Sequence, residues 1–110
     1  MPKFVTIGYG DEAGYAKTPE DLRAAAHAHD KSLLEQGALM GIAGAPVQVR
    51  NTLRKGIETV PEAYLTSKLP IAGFAVIDAD DISQAIKIVS DSPCAIAYGV
   101  VEVWPLEHTL

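Results

Sequence analysis

Two β-α-β runs separated by a hairpin predict an α+β fold, the ferredoxin-like split βαβ sandwich in which two helices cover one face of an antiparallel sheet. Three observations carry that expectation: strand-helix-strand order at both ends of the chain, a proline-punctuated hairpin between them, and no repeat or low-complexity linker. A chain of 110 residues is long enough to build one hydrophobic core without disulfides or a structural metal, so residues 1–110 are read as one domain.

The stretch KFVTIGYG (3–10) is rich in β-branched and aromatic residues and closes on glycines, which predicts a strand ending in a turn. A helix follows in TPEDLRAAAHAHDKSLLEQG, with Thr18 as N-cap, Pro19 in the first turn, Asp21 at capping-box distance and Gly37 as terminator. ALMGIAGA is a short apolar strand, and VQVRNTLRKGIETV a hairpin turning at Lys55 and Gly56. Pro46, Pro61 and Pro70 confine these pieces to edges and loops, because proline donates nothing to a ladder.

IAGFAVIDA (71–79) is apolar on both faces, with Ile71, Ala75 and Ile77 on one and Ala72, Phe74 and Val76 on the other. It is therefore expected in the middle of the sheet. DDISQAIKIVSDSP carries an Asp81–Gln84 capping box, then Ile82, Ala85, Ile86 and Val89 at helical spacing. A last strand, AYGVVEVW, ends at Pro105. Two helices cover only one sheet face, so the second apolar face implies a covering copy of the chain, a homodimer.

Composition excludes several classes. Hydrophobic residues at 48% and charged residues at 21% are globular values, far from those of disordered chains. A formal charge of −5 opposes nucleic-acid phosphates, and the one basic stretch, around Arg50, Arg54 and Lys55, reads as a solvated hairpin. No apolar run reaches signal-peptide or membrane-span length, so the expected setting is cytoplasmic, with no membrane and no nucleic-acid partner. Cys94 is the only cysteine and reads as a small hydrophobe, since a nucleophile needs an activating neighbour.

The candidate chemistry lies in AAAHAHD. Side chains two apart on a helix differ by about 200° in direction, so His27 and His29 cannot grip one ion while the helix is intact, and no metal or cofactor is expected. Counting round the helix from Leu22, His29 falls near the middle of the inward stripe, whereas His27 points to the opposite side with Lys31. His29 is then either a core histidine with satisfied nitrogens or a general acid or base in a cleft, its ordinary pKa near neutrality suiting both protonation states. Asp11, in the turn after the first strand, is the candidate that orients it. Gly8, Gly10 and Gly14 are spaced one residue too long for a dinucleotide loop, with acids in the phosphate-facing turn.

IGYGDEAGYAKTPEDL, EQGALMGIAGAP, VRNTLRKGIETV, KLPIAGFAVIDADDISQAIKIV and YGVVEVWPL together resemble the YCII-related, or DGPF-type, proteins over essentially the whole chain. The resemblance implies a dimeric ferredoxin-like fold related in shape to small dimeric barrels such as muconolactone isomerase. It also implies a cleft with a helix histidine and an aspartate as catalytic pair; one such protein is a dehydrochlorinase of a chlorinated hydroxyquinol. Where the family carries Asp-Gly-Pro-Phe, this chain reads PEAY, with Tyr64 in place of the phenylalanine and Lys68 matching a family lysine. The family's helix histidine falls at Ala26, so His29 enters through the helical face it shares with Ala26.

Two functions fit. One is a cofactor-free lyase or isomerase moving a proton on a small cyclic acidic metabolite, with His29 as acid or base, Asp11 orienting it, and Tyr64, Lys68 and His27 binding substrate. The other is a non-catalytic dimeric module for a small ligand or protein partner, with His29 as packing.

Overall fold

The computed structural model describes residues 1–107, and its strands and two main helices come in the expected order, with two short helices added. Strand β1 (Lys3–Tyr9) leads through a short helix α1 (Glu12–Ala16) into the long helix α2 (Glu20–Glu35) and strand β2 (Leu39–Ile42). A separate hairpin of β3 (Gln48–Arg50) and β4 (Glu58–Val60) follows. The second half runs β5 (Ile71–Asp78), α3 (Ile82–Val89), the one-turn helix α4 (Pro93–Ile96) and β6 (Val100–Pro105).

The main sheet has the order β2-β5-β1-β6, every pair antiparallel. Each βαβ unit therefore skips one position, which the strand from the other unit fills. That interlocking is the split βαβ of the ferredoxin-like sandwich. No helix among the described residues is long and apolar enough to cross a membrane.

The ends of α2 show which local signals were read correctly. Gly37, at φ +100°, closes the helix with Gly37 N–H donating to Leu34 O and Ala38 N–H to Leu33 O, a Schellman motif that only glycine enters without strain. The N-terminus differs from expectation. Thr18 is buried and its Oγ1 donates to Gly14 O at 2.8 Å, so it ties down the preceding α1, while α2 starts after Pro19 with no side-chain cap. Asp11 begins α1, its Oδ1 accepting from Gly14 N at 2.8 Å. In α3 the expected cap forms: Asp81 Oδ1 accepts from Gln84 N at 2.8 Å, while the Gln84 amide oxygen returns to Asp80 N.

The core lies between helices and sheet. Phe4, Ile77, Ala79, Ala85 and Val89 are buried together, with Ala75, Ile88, Val101 and Val103 packed against them. In the β1–β5 ladder Phe4 faces Ile77 and Thr6 faces Ala75, so these side chains share the helix side. Val5 faces Val76 and Ile7 faces Phe74 on the other side, which stays partly open among the described residues, with Phe74 48% exposed. Leu39, Phe74, Val100 and Trp104 stand exposed there or at its edges. The alternation breaks at a register shift beside Gly8 and Tyr9, which pairs Ile71 with Tyr9 and takes it out of step with Ala75 and Ile77.

On the open face Tyr9 Oη donates to Glu102 Oε1 at 2.5 Å, and that hydrogen bond together with burial raises the tyrosine's pKa. Lys3 and Asp78 pair at 2.8 Å at the end of the central β1–β5 ladder, both well exposed. Replacing the 3%-exposed Ile77 by alanine leaves a hole between β1, β5 and the helices. The expected cost is about 2–5 kcal/mol, read as a lowered midpoint in urea unfolding with little change in slope.

Candidate functional site

A cavity of about 350 Å³ opens between the helix layer and the helix side of the sheet. Its sheet wall owes its depth to missing side chains. A Cβ at Gly73 would meet Gly41 O at 2.6 Å, and one at Gly8 would meet Cys94 Sγ at 2.9 Å. Thr6, Met40, Ala75 and Val101 complete that wall, and Val89, Ser92, Pro93 and Cys94 close the side formed by α3 and α4.

From α2 the residues that reach the cavity are His27 and Asp30. They are three apart and so lie one above the other on a single flank of the helix. The expectation that His27 points away from the interior is corrected by this placement. Leu22, from which the turns were counted, is 45% exposed, while Ala26 is 1% exposed and marks the true inward direction. Moving the centre of the stripe from Leu22 to Ala26 turns it by about 40°. Asp30 then falls beside the centre, with His27 and His29 on opposite flanks.

His29 has a different occupation. The last four carbonyls of α3 have no partner within the helix and must find one elsewhere. Ser90 N–H reaches Ile86 O at 3.0 Å and Ser90 Oγ donates to Lys87 O at 2.6 Å. Ser92 N–H and Oγ reach Val89 O at 3.0 and 2.6 Å. The remaining carbonyl, Ile88 O, lies 2.6 Å from His29 Nε2, which as the partner of a carbonyl must carry the proton. His29 thus fastens α2 to the end of α3 and is half-buried in doing so.

The other residues singled out in the sequence lie apart from the cavity. Asp11 is exposed and engaged in its cap. Tyr64 is 79% exposed on the hairpin segment, with the Arg50 guanidinium 5.7 Å from its ring centre, and Lys68 is exposed beyond it. His27 lies at the rim: its Nε2 is 2.8 Å from Tyr15 Oη, and Arg23 stacks on the same tyrosine ring at 4.9 Å. The two histidines therefore face separate partners. Among the described residues no group of three or more His, Cys, Asp or Glu side chains is placed to hold a metal ion.

Asp30 is the residue that the sequence reading passed over. Its place, four residues after Ala26, becomes a signal only once Ala26 is known to be buried. Loss of water around the carboxyl holds its pKa above the usual value, against the lowering influence of His29 and His27. Cys94 shares the cavity, and burial first, then the charge of Asp30, pushes its thiol up. The thiol is kept protonated, the opposite of what a thiolate nucleophile needs. Asp30 and Cys94 are thus the cavity's two groups with shifted titration, both held toward their protonated forms.

Two outcomes follow. Replacing His29 by alanine orphans Ile88 O and should cost about 1–3 kcal/mol, measured by denaturant unfolding. Asp30→Asn should melt higher than the wild type at neutral pH. A carboxyl whose folded pKa is raised destabilises the fold progressively as pH climbs from the unfolded value through the folded one. The difference in Tm should therefore shrink to nothing as pH falls below the ordinary aspartate value of 3.8, which a series of melts checks.

The model of the YCII-related domain matches residues 3–108. No curated protein sequence matches the chain.

Proposed function

The chain belongs to the YCII-related family, and from that premise we propose that it binds a compact cyclic metabolite in the cavity beside α2 and moves a proton on it, as a lyase or isomerase without a cofactor. The observation that carries this reading is Asp30, a carboxyl with a raised pKa in a largely apolar cavity, with the His27 imidazole one turn away on the same flank. A carboxyl raised toward neutrality is a stronger base when ionised and is more readily available as an acid when protonated.

In this reading the ring of the ligand lies against Gly8, Gly73 and Val101, and its polar edge meets Asp30. Asp30 takes a proton from carbon or hydroxyl as its carboxylate. In an isomerase it returns that proton to a neighbouring atom; in a lyase, imidazolium His27 delivers a proton to the leaving group while Asp30 keeps the first. His27 is exposed to solvent and exchanges protons there, with Tyr15 Oη fixing its ring. Thr6 supplies a hydroxyl for a ligand oxygen, while the Ser92 hydroxyl, its proton held by Val89 O, is free to accept from a ligand O–H. A volume near 350 Å³ is at the lower end of small-molecule pockets, about 300–1,000 Å³, and matches one ring with short substituents.

The catalytic assignment to His29 and Asp11 gives way here to Asp30 and His27, and His29 becomes a positioning residue that sets how α2 faces the sheet. No Lys or Arg lines the cavity, so an acidic substituent on the ligand would pair with His27 at the rim. We also propose that the uncovered face around Phe74 and Trp104 packs against the same face of a second copy. A two-fold pair buries an apolar patch of this kind on both partners at once.

The test is hydrogen exchange into substrate carbon, followed by NMR in deuterated water over a panel of cyclic hydroxy acids and lactones. Wild-type protein should label at least one member, Asp30→Asn should slow labelling by about 10²–10⁴-fold, and His27→Gln should leave labelling in place while slowing loss of a leaving group. Tight binding of panel members by wild type and Asp30→Asn alike, with no labelling by either, would favour the non-catalytic binding module.

A further inference from the structure

The segment between β2 and β5, residues 43–70, stands out from the sandwich. Among the described residues its strands β3 and β4 pair only with each other and not with the main sheet. Its two ends are tied to the sandwich, Ala43 N–H donating to Ala72 O at 2.9 Å and Gly10 N–H to Pro70 O at 3.1 Å, while between them the hairpin's contacts are internal: Gln48 Nε2 to Glu62 O at 3.0 Å, Gly56 N–H to Asn51 Oδ1 at 3.1 Å, and Arg50 stacked on Tyr64. The turn contains two non-glycine residues in the left-handed region, Leu53 and Arg54. A two-stranded hairpin with no further packing is marginal in water.

Its apolar side chains are nevertheless numerous and bare. Leu53 is 80% exposed and Ile57 74%, and Val47, Val49 and Leu65 are exposed with them. The charge balance is also uneven. Residues 43–70 hold four Lys or Arg against two Glu, a net +2, while the rest of the chain holds five against twelve Asp or Glu, a net −7.

We propose that this hairpin is an arm that docks on the body of a second copy of the chain. A basic arm and an acidic body attract, and apolar residues at the arm's tip bury once contact is made. Each copy offers one arm and one body, so a two-fold pair satisfies both reciprocally and closes on itself. The arm docking is independent of proton transfer at Asp30. It adds a second contact to the sheet-to-sheet pairing proposed above.

An equal mixture of unlabelled and ¹⁵N-labelled protein, coupled with a zero-length carbodiimide, separates contacts between copies from contacts within one chain. Mixed-isotope pairs should join Lys55 or Lys68 to carboxylates outside residues 43–70, and rising salt should deplete them. The double variant Leu53→Asp/Ile57→Asp should keep its circular dichroism spectrum, lose the mixed pairs, and dissociate with a Kd raised by about tenfold or more in sedimentation velocity. Couplings confined to single chains, or a double variant that self-associates as tightly as the wild type, would overturn the arm docking. If Phe74→Asp abolishes association and the arm variant leaves it intact, sheet-to-sheet pairing survives and the arm's role falls.

Discussion

The pairing of β1 with β5 governs the rest of the molecule. It joins the two βαβ units at the centre of the sheet, from Lys3 opposite Asp78 to Gly8 opposite Gly73. A slip of one residue would turn every side chain of β5 to the other face. With the register as it is, Phe4 and Ile77 meet under the helices, and the two glycines meet further along the same ladder. The core and the hollow beside it are thus successive rungs of one pairing, filled where residues are large and empty where they are absent.

The second constraint is the attachment of α2 to α3. A helix has fixed angular steps, so fixing His29 on Ile88 O also decides where every other side chain of α2 points. Asp30 is carried to the cavity and His27 to its rim by the same rotation. Ala26, 1% exposed, marks the inward centre of the helix, with His29 on one side and Asp30 and His27 on the other. The chemistry proposed at Asp30 is consequently tied to an interaction between backbone and imidazole that touches no ligand.

Much of this architecture was legible in the sequence because it is written in local signals. Strand composition, the Gly37 terminator and the Asp81 cap each act within a few residues, and each stands where expected; the hairpin turn, expected at Lys55 and Gly56, is instead a seven-residue connection, 51–57, centred on Arg54, because Arg50 pairs with Glu58. The alternation of Phe74, Ala75, Val76 and Ile77 correctly divided the two sheet faces. The site was less legible. The rotation of α2 is set by tertiary contacts that Leu22 does not make, so the wheel was read from the wrong spoke and Asp30 escaped notice. Thr18 was given to the wrong helix because the five-residue α1 carries too little periodicity to declare itself. The cavity depends on glycines meeting across strands far apart in sequence, which no single window contains.

The contact between Gly8 and Cys94 bears on how this chain can change over generations. One position has no side chain and the other presents its sulfur where the first carbon of such a chain would stand. A methyl gained on the strand therefore needs the sulfur to swing aside or a smaller residue to stand on the helix, so the two positions answer to each other.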